Sequence, residues 1–113
     1  MNTKLNQKES FIIEDREVLK EIVDITRQKI VRTLYDDPLT AENIADKVDF
    51  PQEKIYYHLK KLESVGIIQS ENAGIVNGIN QKQYLNVARN IIVKMDMLKP
   101  GSDQDDKKFI HNV

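Results

Sequence analysis

The chain has 113 residues and a mass of 13.1 kDa, enough for one hydrophobic core with tails and too little for a second core. It is 40% hydrophobic and 31% charged, too apolar for a wholly disordered chain, and its net charge of −1 excludes a protein that coats nucleic acid by sheer positive charge. With no cysteine, disulfides, thiolate metal sites and a cysteine nucleophile are excluded, and no apolar run approaches the ~20 residues of a membrane span.

Met1 to Ser10 is polar where a signal peptide would be apolar, so residues 1–10 are expected as a flexible tail and the protein as cytoplasmic. From Asp15 to Tyr35, Val18, Leu19, Ile22, Val23, Ile30, Val31 and Leu34 recur with helical periodicity. This is one long helix, or two short ones with a break near Asp24–Thr26, where Asp24 or Thr26 can cap a new helix. Asp36-Asp37-Pro38 ends it, because the residue before proline avoids the helical region.

Thr40 is a good N-cap for a short helix to Val48, with Ile44, Ala45 and Val48 as its apolar stripe. Asp49-Phe50 forms a turn, and Pro51 is expected at the first position of a further helix that ends at Val65 before Gly66. Ile55, Leu59 and Leu62 form its buried stripe, while Glu53, Lys54, Tyr57, Lys60, Lys61 and Ser64 face outward. Ile67 to Ser70 and Gln83 to Leu85 read as two strands joined by the Gly- and Asn-rich stretch Asn72 to Asn80. Val87, Ile91, Ile92, Met95 and Leu98 then recur at helical spacing, so a last helix is expected over 87–98, with a flexible tail over 99–113. The expected fold is mainly α with a small β-hairpin, in the order α-α-α-β-β-α, over residues 11–98.

Two short helices joined by a tight turn, the second sealed on one side and polar on the other, form the arrangement that lays a recognition helix in the DNA major groove; the hairpin behind it would be a wing. The run Asp24-Ile25-Thr26-Arg27-Gln28-Lys29-Ile30-Val31-Arg32-Thr33-Leu34 resembles the first helical segment of ArsR-like winged helix-turn-helix regulators. Pro38 to Ala45 together with His58-Leu59-Lys60-Lys61-Leu62-Glu63-Ser64-Val65-Gly66 is similar to that family's helix-turn-helix, and Lys82-Gln83-Tyr84-Leu85 to its closing wing strand. The resemblance implies a homodimeric regulator of transcription, with repression as the expected mode, on a near-palindromic operator in double-stranded DNA. It also implies a dimer interface made by the first and last helices, through Val18, Leu19, Ile22, Val87, Ile91, Ile92, Met95 and Leu98. The apolar stripe of 87–98 supports that interface independently, since so short a chain has few places to bury it.

Gln52, Lys54, Tyr56 and Tyr57 fall in the early turns of the second helix of the pair, where Gln suits adenine and Tyr a phosphate or a thymine methyl; the competing account is a solvated helix face. His58, on the flank of the stripe, either bonds a phosphate or finishes the core edge through a local hydrogen bond. Thr40 caps its helix and leaves backbone N–H groups for a phosphate, and Lys60 and Lys61 suit phosphate neutralisation. Asn77 and Lys82 are the candidate wing contacts, with Gly74 and Gly78 serving turns. Glu53 opposes phosphate unless it accepts from cytosine or pairs with a lysine, and no basic residue lies between Glu71 and Gln81.

No cofactor and no metal are expected: a thiolate sensor has no ligands, and His58 and His111 are remote from each other. No Gly-rich phosphate loop, metal-ligand helix or nucleophile motif occurs, so the chain is not expected to be an enzyme. The alternative is a winged-helix module that docks on proteins without binding DNA, for which the aliphatic pair Ile75-Val76 at the wing tip would be the contact.

Overall fold

Asp24 settles the break in the first helical stretch. In the computed structural model, which describes residues 7–94 and 96, α1 spans Arg16–Ile22 and α2 spans Ile25–Thr33. Asp24 is the N-cap of α2, its carboxylate accepting from the Arg27 backbone N–H at 3.0 Å. Asp15 does the same for α1, accepting from Glu17 N–H at 2.9 Å. Each cap satisfies a donor that the first helical turn leaves without a partner.

The next helix, α3, runs Ala41–Val48 behind Thr40, whose hydroxyl accepts from Asn43 N–H at 3.2 Å. It stops because Asp49 turns left-handed, φ 56, and Phe50 N–H returns to the carbonyl of Ala45 at 3.1 Å. Helix α4 then covers Gln52–Ser64, with Pro51 as its N-cap, so the helix begins one residue later than expected. Gly66, φ 81, closes α4 with the paired returns of a Schellman motif: Gly66 N–H to Glu63 O and Ile67 N–H to Leu62 O, both 3.1 Å.

Two strands, β2 (Ile68–Val76) and β3 (Ile79–Asn86), form an antiparallel hairpin longer than the sequence suggested. Asn77 and Gly78, with φ 52 and 78, make the two-residue turn whose twist matches the strands. The register slips between Asn72 and Ile75, where Gly74 takes φ 101 in a bulge. A short bridge between Leu39 and Tyr84, with hydrogen bonds of 2.7 and 3.0 Å, fixes β3 to the chain entering α3.

The core is one cluster under the helices and the hairpin base. Ile30 and Val31 come from α2 and Leu34 from its C-cap, Ala41, Ile44 and Ala45 from α3, Ile55, Leu59 and Leu62 from α4, Ile67 from the link after α4, and Ile68 and Tyr84 from the hairpin. Each large aliphatic side chain so buried contributes roughly 1.5–3 kcal/mol, which is why the three helices hold their angle.

Two expectations are corrected. Among the described residues of 87–98 there is no α-helix: Ala88–Val93 is a strand, β4, paired in parallel with β1, Lys8–Ile13. Residues 8–10 therefore belong to a strand and not to a flexible tail. Val87, Ile91 and Ile92 fit a helical spacing, yet Ile91 and Val93 alternate inward opposite Phe11 and Ile13, which fits a strand equally well. Pairing with a segment eighty positions away decides between them, and β-branched side chains suit the result. Asn86 anchors this junction from full burial, its side-chain amide donating to the carbonyl of Val31 at 3.0 Å, while its backbone carbonyl accepts from the Gln7 side-chain amide at 3.1 Å. Met95, Leu98 and the expected tail over 99–113 lie outside the described residues.

Candidate nucleic-acid interface

Helix α4 presents a polar face because Ile55, Leu59 and Leu62 seal its other side at 0–1% exposure. Outward stand Gln52, Glu53, Lys54, Tyr56, Tyr57 and Lys60, all exposed, with Lys61 and His58 half-buried. The two tyrosines are 50% and 58% exposed, a large aromatic area to leave in water.

The outward face divides in two. On the wing side, a cleft of about 490 Å³ lies between the start of α3, the first turn of α4 and β3, lined by Thr40, Ala41, Glu42, Gln52, Tyr56, Ile79, Asn80, Gln81, Lys82 and Tyr84. It brings together four of the residues singled out from sequence: Thr40, Gln52, Tyr56 and Lys82. Gln52 Nε2 lies 3.4 Å from the Tyr56 hydroxyl, one turn on. The capped start of α3 opens on this cleft, so its free backbone N–H groups and partial positive charge face the same space as Lys82. Glu42 is the opposing charge at the rim. Burial raises the Tyr84 phenol above its usual range, with Glu63 and Tyr56 adding to the shift, so Tyr84 stays a neutral donor.

On the other side of α4, Tyr57, His58 and Lys61 form a second group, apart from the cleft. The Lys61 ammonium sits 5.6 Å from the Tyr57 ring centroid, and the His58 ring meets Tyr57 edge-on at 5.3 Å and Phe50 at 5.9 Å. Lys54 and Lys60 stand free of both groups, and Asn77 lies at the far end of the hairpin, where its positive φ gives it a turn role.

His58 has a partner that the sequence did not reveal. Arg27 Nη1 donates to His58 Nδ1 at 2.8 Å, and since a guanidinium only donates, the imidazole is neutral with its proton on Nε2. Arg27 in turn donates from Nε to the Glu21 carbonyl at 2.6 Å and lies 3.4 Å from the Glu21 carboxylate and 3.9 Å from Asp24. One guanidinium thus ties α1, the cap of α2 and the middle of α4. Burial lowers the His58 pKa below its ordinary value; Asp24 opposes that shift and Arg27 adds to it. The local hydrogen bond, one of the two roles left open for this histidine, is the one Nδ1 fills.

The residues named for dimerisation are dispersed. Leu19 is buried in the core, Val18, Ile22 and Ile91 pack partly against it, Val87 is half-buried, and Ile92 is 45% exposed on β4 opposite the exposed Ile12 of β1. Among the described residues no helix is long and apolar enough to cross a membrane.

Residues 23–71, which span α2, α3, α4 and the start of β2, match a family model described as a helix-turn-helix domain. No curated protein sequence matches the chain. Among solved structures, a Mycobacterium bovis protein, Mb0332, aligns with a TM-score of 0.54 at 14% identity, over 86% of this chain and 71% of that one. It is described as a homodimeric winged helix-turn-helix DNA-binding domain and a possible ArsR-family transcriptional regulator. Reduced HlyU from Vibrio cholerae aligns with the same TM-score at 16% identity, over 86% of this chain and 81% of that one.

Proposed function

We propose that this chain, a winged helix-turn-helix protein of the ArsR-like type, is a sequence-specific double-stranded DNA-binding regulator of transcription, acting as a homodimeric repressor in the cytoplasm on a near-palindromic operator. The observation that carries the reading is the outward face of α4. A helix sealed on one side offers an amide, two exposed tyrosines and three lysines on the other, and its first turn adjoins a cleft that holds a capped helix start and Lys82.

In this reading α4 lies in the major groove with Gln52, Tyr56 and Tyr57 toward base edges, and the hairpin serves as the wing. Thr40 and Lys82 hold one phosphate strand from the cleft, while Lys54, Lys60 and Lys61 neutralise phosphates along α4. His58 steadies α4 through Arg27 and leaves Nε2–H for a phosphate. Residues 8–93 form the DNA-binding domain, and the homodimer forms through its β1–β4 side, where Ile92 is exposed. No cofactor is needed, and nothing in the site arranges a catalytic acid, base or nucleophile.

Titration of a random-sequence duplex followed by fluorescence anisotropy tests the reading. The four lysines of one protomer predict about 150-fold weaker binding at ~200 mM than at ~50 mM salt, and a second protomer on the same duplex steepens the fall. The triple variant K54A/Y57A/K61A is expected to lose most of the low-salt affinity while its melting temperature stays close to that of the parent, because all three side chains lie on the outer face. Absence of binding at low salt by the folded protein would turn the assignment to the second reading, a protein-docking module, which the aliphatic tip of the hairpin favours.

A further inference from the structure

The hairpin tip does not fit the part usually given to a wing. Ile75, Val76 and Ile79 are 70%, 53% and 64% exposed. Val76 stands opposite Ile79, and Ile75 opposite Asn80. Successive strand residues face opposite sides, so this thin blade carries exposed aliphatic side chains on both faces, Val76 with Ile79 on one and Ile75 beside Asn80 on the other, and is closed by the Asn77-Gly78 turn. From Asn72 to Gln81 no side chain is charged. The tip can neither neutralise a phosphate nor repel one.

A blade with aliphatic side chains on both faces is covered by a slot with two walls, since a flat protein surface would leave one face wet. Ile79, Asn80 and Gln81 line the same cleft as Thr40, Gln52 and Tyr56, so the tip continues the surface assigned to DNA. Lys82 follows the turn on β3, three residues beyond Ile79 and ~10 Å along the strand, which sets the tip beyond the phosphate strand that Lys82 would hold. The slot on the far side of that strand is the minor groove. At ~6 Å wide in B-form DNA, it is too narrow for a two-stranded ribbon that carries side chains on both faces. Entry requires the groove to open, and apolar side chains pushed between base steps are what opens and kinks it, with Asn and Gln suited to its edges.

We propose that the wing tip is a minor-groove wedge, in which Ile75, Val76 and Ile79 part the base steps and bend the duplex toward the major groove, while Asn77, Asn80 and Gln81 contact the groove edges. This rests on the DNA-binding reading and adds to it a deformation of the DNA. It gives a use to a wing tip that carries no charge.

The test uses the full chain and a duplex of about 20 base pairs, recovered by the protein from a random pool and labelled with a donor and an acceptor at opposite ends. Anisotropy reports binding, and energy transfer reports the end-to-end distance. A kink of roughly 20–90° raises the transfer when the parent protein binds. The variant I75N/V76N/I79N, altered only at exposed positions, is expected to bind within about 10-fold of the parent and lose at least half of the transfer change. The aliphatic variant I75V/V76I/I79L is expected to retain it, and unchanged melting temperatures show that both variants fold. Saturated binding without a change in transfer, or an equal change from the parent and the Asn variant, overturns the wedge and leaves the DNA reading standing. In that case, loss of self-association in the Asn variant would assign the tip to a second copy of the chain. Failure to bind any duplex at ~50 mM salt overturns the DNA reading and the wedge with it.

Discussion

Arg27 and His58 illustrate how one contact joins stability to the candidate interface. His58 lies in the middle of α4, so its bond to Arg27 fixes the helix that would meet DNA against α1 and the cap of α2. The groups around the imidazole are Arg27, Asp24 and, through Arg27, Glu21, with the Tyr57 and Phe50 rings packed on it. Its folded pKa is lowered, so as the pH falls the unfolded chain takes up this proton before the folded one does. The contribution is complete above the ordinary histidine value of about 6.5 and is lost as the pH drops through the lower, folded value. Protonation also puts a donor where Arg27 needs an acceptor. The urea midpoint of the parent is therefore expected to fall further between pH 7.5 and pH 5.5 than that of H58Q, whose amide oxygen still accepts from Arg27. Parallel falls in the two proteins would show that this histidine titrates as it does in the unfolded chain.

At the scale of elements, the backbone conformations that end helices matter as much as those that start them. Gly66 and Asp49 both take left-handed positions, after α4 and α3 respectively, but only Gly66 does so without a side chain. A Cβ at Gly66 would meet no neighbour within 4 Å, so Gly66→Ala carries only the backbone penalty, about 1–2 kcal/mol. Thermal unfolding should record a fall of roughly 4–8 °C for each kcal/mol. Asp49→Gly removes the same kind of strain from the turn between α3 and α4 and should leave the melting temperature equal or slightly higher. A clear loss there would mean that the Asp49 carboxylate holds the turn in some other way. These ends were legible in the sequence, as were Thr40 and the stripe of Ile55, Leu59 and Leu62, because caps and helical periodicity are local signals, while Asp24 was one of two candidate caps at a break the pattern left open. The Asn77-Gly78 turn was visible only as a Gly- and Asn-rich stretch. The β1–β4 pair was not legible: Val87-Ala88-Arg89-Asn90-Ile91-Ile92-Val93 satisfies both periods, and its strand partner Phe11-Ile12-Ile13 lies too far back for a local pattern to join them. The division of the α4 face into a cleft side and a Tyr57–His58–Lys61 side escaped the sequence for a similar reason. Tyr84 and Lys82 reach the cleft from β3, and Arg27 reaches His58 from thirty-one residues away.

The β1–β4 pair changes the expected assembly of the whole molecule. Two parallel strands seldom stand with one face in water, since parallel sheets are normally covered on both sides and their free edges invite further pairing. Here the inner face, with Phe11, Ile13, Ile91 and Val93, rests on the core, while Ile12 and Ile92 lie opposite each other on the outer face at 52% and 45% exposure. A dimer built through terminal helices would have used Leu19 and a helix over 87–98, but Leu19 is consumed by the core of one protomer and the helix is a strand. Among the described residues, the exposed pair on this outer face is the surface proposed for a two-fold partner, with Tyr35 exposed nearby at the exit of α2. Sedimentation equilibrium at tens of micromolar is expected to give twice the chain mass for the parent and the single-chain mass for I12D/I92D, with the far-ultraviolet circular dichroism of the two proteins superimposable. A parent that sediments as a monomer would remove the dimer, and a variant that remains dimeric would move the interface away from this sheet. The outcome bears on DNA as well. A monomer contributes the phosphate contacts of one α4 and one wing, whereas a dimer doubles them and steepens the loss of affinity with salt in proportion. The salt slope of I12D/I92D should therefore be about half that of the parent, a second reading of the same interface by an independent measurement.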